Sequence, residues 1–176
     1  MYCELNLYVY SHSITLSHIY YIHTGGAAEA LDSRPGKHSL TLQRRQGFFR
    51  IALQHGASLV PIYSFGENDL YDTMNNDEGS FVRKIQNIFL KYAGFATPFF
   101  SGAGSTGASL PMNPVPARKP VVTVIGDPIP CELIEHPTAD DINKIKALYI
   151  AKLQEIFVQF ADKYAPERSG ELEINK

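Results

Sequence analysis

The block Arg44–Asn68 constrains the fold of this chain more than any other part of its sequence. It reads RRQGFFRIALQHGASLVPIYSFGEN, which predicts a helix over Gln46–His55, a left-handed cap at Gly56 and an apolar strand over Leu59–Phe65. A short run of this kind, apolar along almost all of its length, is typical of a strand covered on both faces. Pro61 lacks a backbone donor, so we expect this strand to occupy an end or edge position.

Helix and strand patterns alternate along the rest of the chain. Further strands are predicted at Ser39–Gln43 and Val121–Gly126, further helices at Ser80–Tyr92 and from the N-cap Thr138 to Pro166, and a loop at Ala96–Pro120. This alternation predicts an α/β layer fold, in which a small sheet with flanking helices is part of a larger sheet.

Two of these helices carry stripes that predict their buried faces. The first helix places on one face Phe48, Ile51, Ala52 and His55. The last helix has a longer stripe made of Ile142, Ile145, Tyr149, Leu153, Ile156 and Phe160.

Composition narrows the class of protein further. The chain has 176 residues, 44% of them hydrophobic, which is enough for one domain with a core. The net charge of -2 argues against a general attraction to nucleic acid. Cys3 and Cys131 cannot form a disulfide framework, which fits a reducing, cytosol-facing location. Met1–His23 has a single charged residue, so we divide the chain into an atypical segment at 1–23 and one domain at 24–176.

Two short polar segments are candidates for binding or catalysis. Gly25 and Gly26 bare the backbone at a predicted helix start, where free N–H groups can hold an anion or a polar head group, with Glu29 beside them. A tight turn is the simpler explanation of this segment, and we favour it on the residues alone. Glu67 and Asn68 follow a buried strand, where a carboxylate and an amide can orient a base or hold a substrate hydroxyl; a polar turn capped by Asn68 explains them equally well.

Several other patterns in the sequence are only weak signals of function. Arg44 and Arg45 can pair with phosphates, although a solvated helix start is the commoner role. The G-x-G-x-x-G pattern at 102–107 is followed by prolines instead of a helix, which argues against a nucleotide-binding α/β protein. His136 and Asp141 have an H-x-x-x-x-D spacing, but Asp141 at a helix start is expected to be structural. No histidine spacing predicts a metal site.

From Gly25 to about Asn175 the chain resembles the diacylglycerol acyltransferase 2 family. The resemblance is carried by GGAAE at 25–29, RQGF at 45–48 and LVPIYSFGEN at 59–68. It continues with YAGF at 92–95, VIGDPI at 124–129 and EHPT at 135–138. It implies a glycerolipid-acyltransferase-like layered sheet, and transfer of a fatty acyl group from acyl-CoA, the co-substrate, to the hydroxyl of diacylglycerol, without another cofactor.

The resemblance also implies roles and a location. Glu67 would be a supporting carboxylate for the catalytic histidine, and substrate would be bound by Gly25, Gly26, Glu29, Arg44 and Asn68. The enzyme would sit in the endoplasmic-reticulum membrane facing the cytosol, or at lipid droplets, in contact with membrane lipid, and homo-oligomers are allowed.

The chain departs from the family pattern in one respect. The sequence contains no His-Pro-His-Gly, the motif that supplies the general base in the family. We therefore expect a truncated chain that is incomplete at its N-terminus and has negligible activity alone. The alternative is an inactive fragment that binds lipid, a membrane or another subunit through its amphipathic helices.

Overall fold

The computed structural model describes residues 6–10, 19–22, 34–73, 84, 88, 100–102, 110–111 and 115–175. The strands are β1 Asn6–Tyr10, β2 Ile19–Tyr21, β3 Ser39–Thr41, β4 Ser58–Phe65, β5 Asp72–Thr73, β6 Phe100–Gly102, β7 Leu110–Pro111, β8 Val122–Ile125 and β9 Glu173–Asn175. The helices are α1 Gly47–His55, α2 Ala139–Tyr164 and a short 3-10 helix Glu67–Leu70. Helices and sheets are mixed, which confirms the α/β prediction at this level.

β4 lies in the middle of the main sheet, whose strand order is β2-β1-β4-β8. Its neighbours β1 and β8 both run antiparallel to it, with Leu59 opposite Val9 and Tyr63 opposite Val124. All seven residues from 59 to 65 are buried, which confirms the prediction of a strand covered on both faces.

The prediction that Pro61 marks an edge or an end is wrong. Pro61 lies inside the central strand, where its carbonyl accepts a hydrogen bond of 2.8 Å from the Gly126 N–H. In antiparallel pairing the N–H and C=O of one residue point to the same neighbour, so the missing donor of Pro61 also faces Gly126. β8 has already ended at Ile125, and the proline therefore removes a hydrogen bond only where regular pairing stops.

α1 begins one residue later than predicted, with Gln46 as its N-cap, and ends at His55 as predicted, but its buried face is different. Gly56 ends it with φ 58°, in the left-handed conformation that its sequence predicts. The buried side chains are Phe48, Phe49, Ala52 and Leu53. Ile51 and His55 are exposed, which corrects their predicted place on that face. Phe49 and Leu53 fill their place because α1 meets the rest of the core about a quarter-turn away from the face that the sequence predicted.

α2 forms the largest part of the core against β4. Thr138 caps it as predicted, in a capping box: the Asp141 N–H donates to Thr138 Oγ1 (3.3 Å), while Asp141 Oδ2 accepts from the Thr138 N–H (3.0 Å). Asp141 is thus structural, as we expected. The buried stripe includes the predicted residues from Ile142 to Ile156, and continues through Phe157 and Ala161, whereas Phe160 is only partly buried.

Two smaller sheets complete the described structure. β3 pairs with β9 in parallel, with Leu40 opposite Ile174. β5, β6 and β7 form an antiparallel sheet, so the prediction that Ala96–Pro120 is loop throughout is wrong at Phe100–Gly102 and Leu110–Pro111. These strands are only two or three residues long, too short for a hydrophobic period to be visible in the sequence. The predicted helix Ser80–Tyr92 lies outside the described residues except for Lys84 and Ile88, which are helical. No helix in the described part of the chain is long and apolar enough to cross a membrane.

Candidate functional site

The central strand ends in a tight polar turn that only glycine can begin. Gly66 has φ 89°, and a Cβ atom built on it would lie 2.2 Å from the Pro120 carbonyl oxygen. A side chain at this position would therefore clash with backbone as well as strain its own conformation. The turn after β4 is held against the segment that leads into β8.

The residues after Gly66 clamp this turn to a second loop. Asn68 is buried, and its Nδ2 donates a hydrogen bond of 2.7 Å to the Lys37 carbonyl. Asp69 Oδ1 accepts a hydrogen bond of 3.1 Å from the Gly36 N–H. Glu67, the predicted catalytic carboxylate, is half-buried at the start of the same turn. Two adjacent side chains thus fix the position of the loop that precedes β3.

A histidine that the sequence did not single out lies at the end of that loop. His38 is only 7% exposed, and its Nδ1 lies 2.7 Å from the hydroxyl oxygen of Tyr63 in β4. The imidazole ring packs edge-on against Phe157 at 5.0 Å between ring centroids, with Phe65 at 6.4 Å. It is therefore held by one hydrogen bond in an aromatic pocket made by β4 and α2.

The surroundings keep this imidazole uncharged. Burial lowers the pKa of His38 below its ordinary value, because a charged ring loses its hydration. The carboxylate of Asp69 opposes this effect and the guanidinium of Arg168 adds to it, so the net direction is downward. His38 is accordingly a neutral donor and acceptor at physiological pH.

His38 forms part of the wall of an open cleft of about 390 Å³, which we call the His38 cleft. Its polar lining includes Gly36, His38, Gly66, Asp69, Lys119 and Arg168. Four chain segments meet here: the loop before β3, the turn after β4, the segment that leads into β8 and the chain that leaves α2. No pattern in the sequence predicts this meeting, since the segments come from different parts of the chain and each contributes only a few residues.

The structure brings some predicted site residues together and separates others. Glu67 and Asn68 are neighbours beside the His38 cleft. Arg44 is exposed, next to Gln43, whose carbonyl is 3.5 Å from Nζ of Lys146 in the first third of α2. The cleft adjoins Tyr164, 18 residues further along that helix, or about 27 Å at 1.5 Å per residue. Arg44 is thus remote from Glu67.

The predicted glycine site, with its residues Gly25, Gly26 and Glu29, lies outside the described residues. Within the described ranges, no three His, Cys, Asp or Glu side chains come together as would hold a metal ion. The cleft that the structure does show is lined by glycine and proline residues, Tyr164 and charged side chains, together with the uncharged imidazole of His38.

Comparison with known proteins assigns the family. The model of the diacylglycerol acyltransferase family matches residues 8–175. The chain is 46% identical over 153 residues to diacylglycerol O-acyltransferase 2 of Xenopus tropicalis, which covers 87% of this chain and 42% of that protein. It is 44% identical over 151 residues to the human protein of the same name, covering 86% of this chain and 39% of the relative.

A relative of a second name is also similar. The 2-acylglycerol O-acyltransferase 1 of Bos taurus is 42% identical over 140 residues, covering 80% of this chain and 41% of that protein. No solved structure matches the chain significantly. The chain belongs to the diacylglycerol acyltransferase family. It spans between 39% and 45% of the length of the diacylglycerol O-acyltransferase 2 relatives that it matches.

Proposed function

We propose that this chain works as part of an acyl-CoA-dependent O-acyltransferase that transfers a fatty acyl group to the hydroxyl of diacylglycerol, giving triacylglycerol. The family match across residues 8–175 carries the proposal. The names of the most similar relatives support it, since diacylglycerol O-acyltransferase 2 states both the acceptor and the transferred group. We also propose that the layered arrangement around β4 is the core of a glycerolipid-acyltransferase-like fold.

The chemistry requires few groups. A thioester is already activated, so the acceptor oxygen can attack it directly while a base removes the hydroxyl proton and thiolate leaves. Glu67 is our candidate for the carboxylate that orients the base, because it stands at the end of the buried central strand. The His-Pro-His-Gly base is not in this sequence, so it would come from outside these 176 residues.

Substrate binding is proposed for a further set of residues, namely Gly25, Gly26, Glu29, Arg44 and Asn68. The geometry supports a positioning role for Asn68, since its amide holds the turn that carries Glu67. Arg44 would contact a part of the substrate far from Glu67, because it lies near Lys146 in the first third of α2 while the cleft adjoins Tyr164 at the end of that helix.

The location is proposed on the chemistry of the acceptor. Diacylglycerol is almost entirely apolar and stays in membranes, so an enzyme that acts on it must work at a lipid surface. We propose the cytosolic side of the endoplasmic-reticulum membrane and the surface of lipid droplets, with membrane lipid as a contact and self-association allowed. A fluorescent fusion of the whole protein, imaged with markers for both compartments, tests this.

Acyl transfer is tested with labelled oleoyl-CoA and two acceptors, dioleoylglycerol and monooleoylglycerol. We expect the whole protein that contains this chain to form labelled triacylglycerol, and the 176-residue chain alone to form almost none. Transfer to neither acceptor by the whole protein would contradict the enzyme proposal. If that inactive protein still bound lipid vesicles, a lipid-binding module would be the better description.

A further inference from the structure

We propose that the His38 cleft binds the hydroxyl-bearing head group of an uncharged acylglycerol. The ligand class rests on the function proposed above, while the site itself rests on geometry alone. Among the described residues, Gly66 and Asp69 of the turn after β4 line the site while Glu67 does not, and the group proposed to bind the ligand is the imidazole of His38.

One ring nitrogen of His38 is available to form a hydrogen bond with a ligand. Nδ1 is engaged with the Tyr63 hydroxyl at 2.7 Å, and in the described part of the chain no other hydrogen bond to the ring is found. Among the described residues Nε2 of His38 is not one of the fully buried, unpartnered polar atoms, and since His38 lines the cleft, a ligand there can reach it. If the Tyr63 hydroxyl donates to Nδ1, Nε2 carries a proton; if Nδ1 donates, Nε2 is an acceptor. A ligand hydroxyl can pair with Nε2 in both cases, because it donates as well as accepts.

The charges around the cleft argue for an uncharged ligand. Arg168 is paired with Asp162 at 2.7 Å and lies 3.9 Å from Glu171, so its guanidinium already has two carboxylate partners. Lys119 is another cation of the lining, which also carries the carboxylates of Asp69 and Glu167. A phosphate group would meet at least as much negative as positive charge here. An uncharged hydroxyl is not repelled by the carboxylates.

The size and rigidity of the cleft fit a head group better than a whole lipid. Its volume of about 390 Å³ is at the lower end of the range of roughly 300–1,000 Å³ for small-molecule sites. The Gly36 carbonyl accepts hydrogen bonds from the Ser169 N–H (2.8 Å) and the Ser169 hydroxyl (3.0 Å), which ties the two walls together. A wall fixed before binding loses little entropy when a ligand enters, and the open mouth lets acyl chains extend outward.

Nuclear magnetic resonance of the 176-residue chain tests the site without any acyl-CoA. The imidazole signal of His38 is assigned by its loss in His38→Gln, and the probe is the water-soluble 1,2-dihexanoylglycerol. We expect a saturable shift of the His38 signal, and a dissociation constant raised about fivefold in His38→Ala, the loss of one hydrogen bond. His136→Ala, which changes an exposed histidine outside the cleft, is the matched control and should bind as the original chain does.

Two further ligands make the outcome decisive. Tributyrin lacks the hydroxyl, and dihexanoyl phosphatidate replaces it with phosphate; both are expected to leave the His38 signal in place. Equal binding of tributyrin would make the cleft merely apolar, and tighter binding of the phosphatidate would make it an anion site; either result overturns the proposal. Should His38→Ala fail to fold, the three ligands still decide it on the unaltered chain. A failure here, with triacylglycerol still formed in the acyl-transfer assay, would reject this site and leave the proposed function standing.

Discussion

The imidazole Nδ1 of His38 lies 2.7 Å from the hydroxyl oxygen of Tyr63, which joins the loop before β3 to the middle of the central strand. The pair is buried between β4 and α2, where Phe157 packs against the His38 ring. This contact places a titratable group in the core itself, and it therefore couples the protonation of one side chain to the stability of the fold.

The first prediction concerns pH. Burial holds the pKa of His38 below its unfolded value, so below about pH 6.5 the unfolded chain binds a proton that the native chain does not. Stability should then fall as pH drops through this value toward the lower folded pKa, and be fully present above it. Asp69 limits the effect and Arg168 strengthens it, with Lys119 and Glu167 also lining the cleft. Urea unfolding at steps of about half a pH unit, from pH 7.5 to 5.0, measures the free energy of unfolding across this range.

In His38→Gln the part of this pH dependence that His38 causes should disappear. His136→Gln, at an exposed position, should keep the slope of the original chain. An unchanged slope in His38→Gln would show that the buried imidazole does not control acid sensitivity.

The second prediction is that Tyr149→Phe stabilises the protein. The Tyr149 hydroxyl is buried and has no hydrogen-bond partner among the described residues, and burial also raises the pKa of its phenol. Removing an unsatisfied buried hydroxyl should raise the free energy of unfolding by about 1 kcal/mol. The control Tyr149→Leu should instead lower it, because the ring packs edge-on against Phe48 and Phe49. Chemical denaturation measures both, and a less stable Tyr149→Phe would mean that the hydroxyl is satisfied in solution.

The third prediction compares two glycines. Gly66→Ala should lower the free energy of unfolding by about 2 kcal/mol or more, since φ is 89° and the new Cβ meets the Pro120 carbonyl. Gly47→Ala, in the first turn of α1 with nothing within 4 Å of the new Cβ, should be neutral or add up to about 1 kcal/mol. Thermal unfolding of the two variants measures the contrast. Equal stabilities would contradict the fixed turn after β4.

The fourth prediction concerns catalysis by the whole protein that contains this chain. Glu67→Gln keeps the shape of the side chain and removes its charge, so kcat should fall at least about tenfold with little change in KM if the carboxylate orients the base. Glu132→Gln, which alters an exposed carboxylate, is the matched control. An unchanged kcat in Glu67→Gln would remove this residue from the mechanism.

Local signals in the sequence predicted the elements around the central strand well. Thr138 and Gly56 act within one turn of their own helix, through a capping box and a left-handed cap, so their effect is written in adjacent residues. The buried run of β4 was equally clear, because every residue of 59–65 is apolar or small enough for the core.

Features that depend on distant partners could not be predicted in this way. The placement of Pro61 was wrong because its tolerance depends on Gly126 and on where β8 stops, which no local pattern contains. His38 was missed because its partner Tyr63 is 25 positions away and its cleft needs Arg168 from the chain that follows α2. The predicted roles of Glu67, Asn68, Arg44 and the 25–29 segment stay predictions, although the structure gives the first two a shared turn.

The parallel pairing of β3 with β9 has a consequence for how the chain is made. Ser39 and Asn175, joined across this pair, are 136 positions apart, so the two strands cannot meet until nearly the whole sequence has left the ribosome. Until then Leu40, which is 1% exposed in the finished fold, has no β9 beside it. The nascent chain must therefore carry β3 without its β9 partner until Glu173–Asn175 have been made.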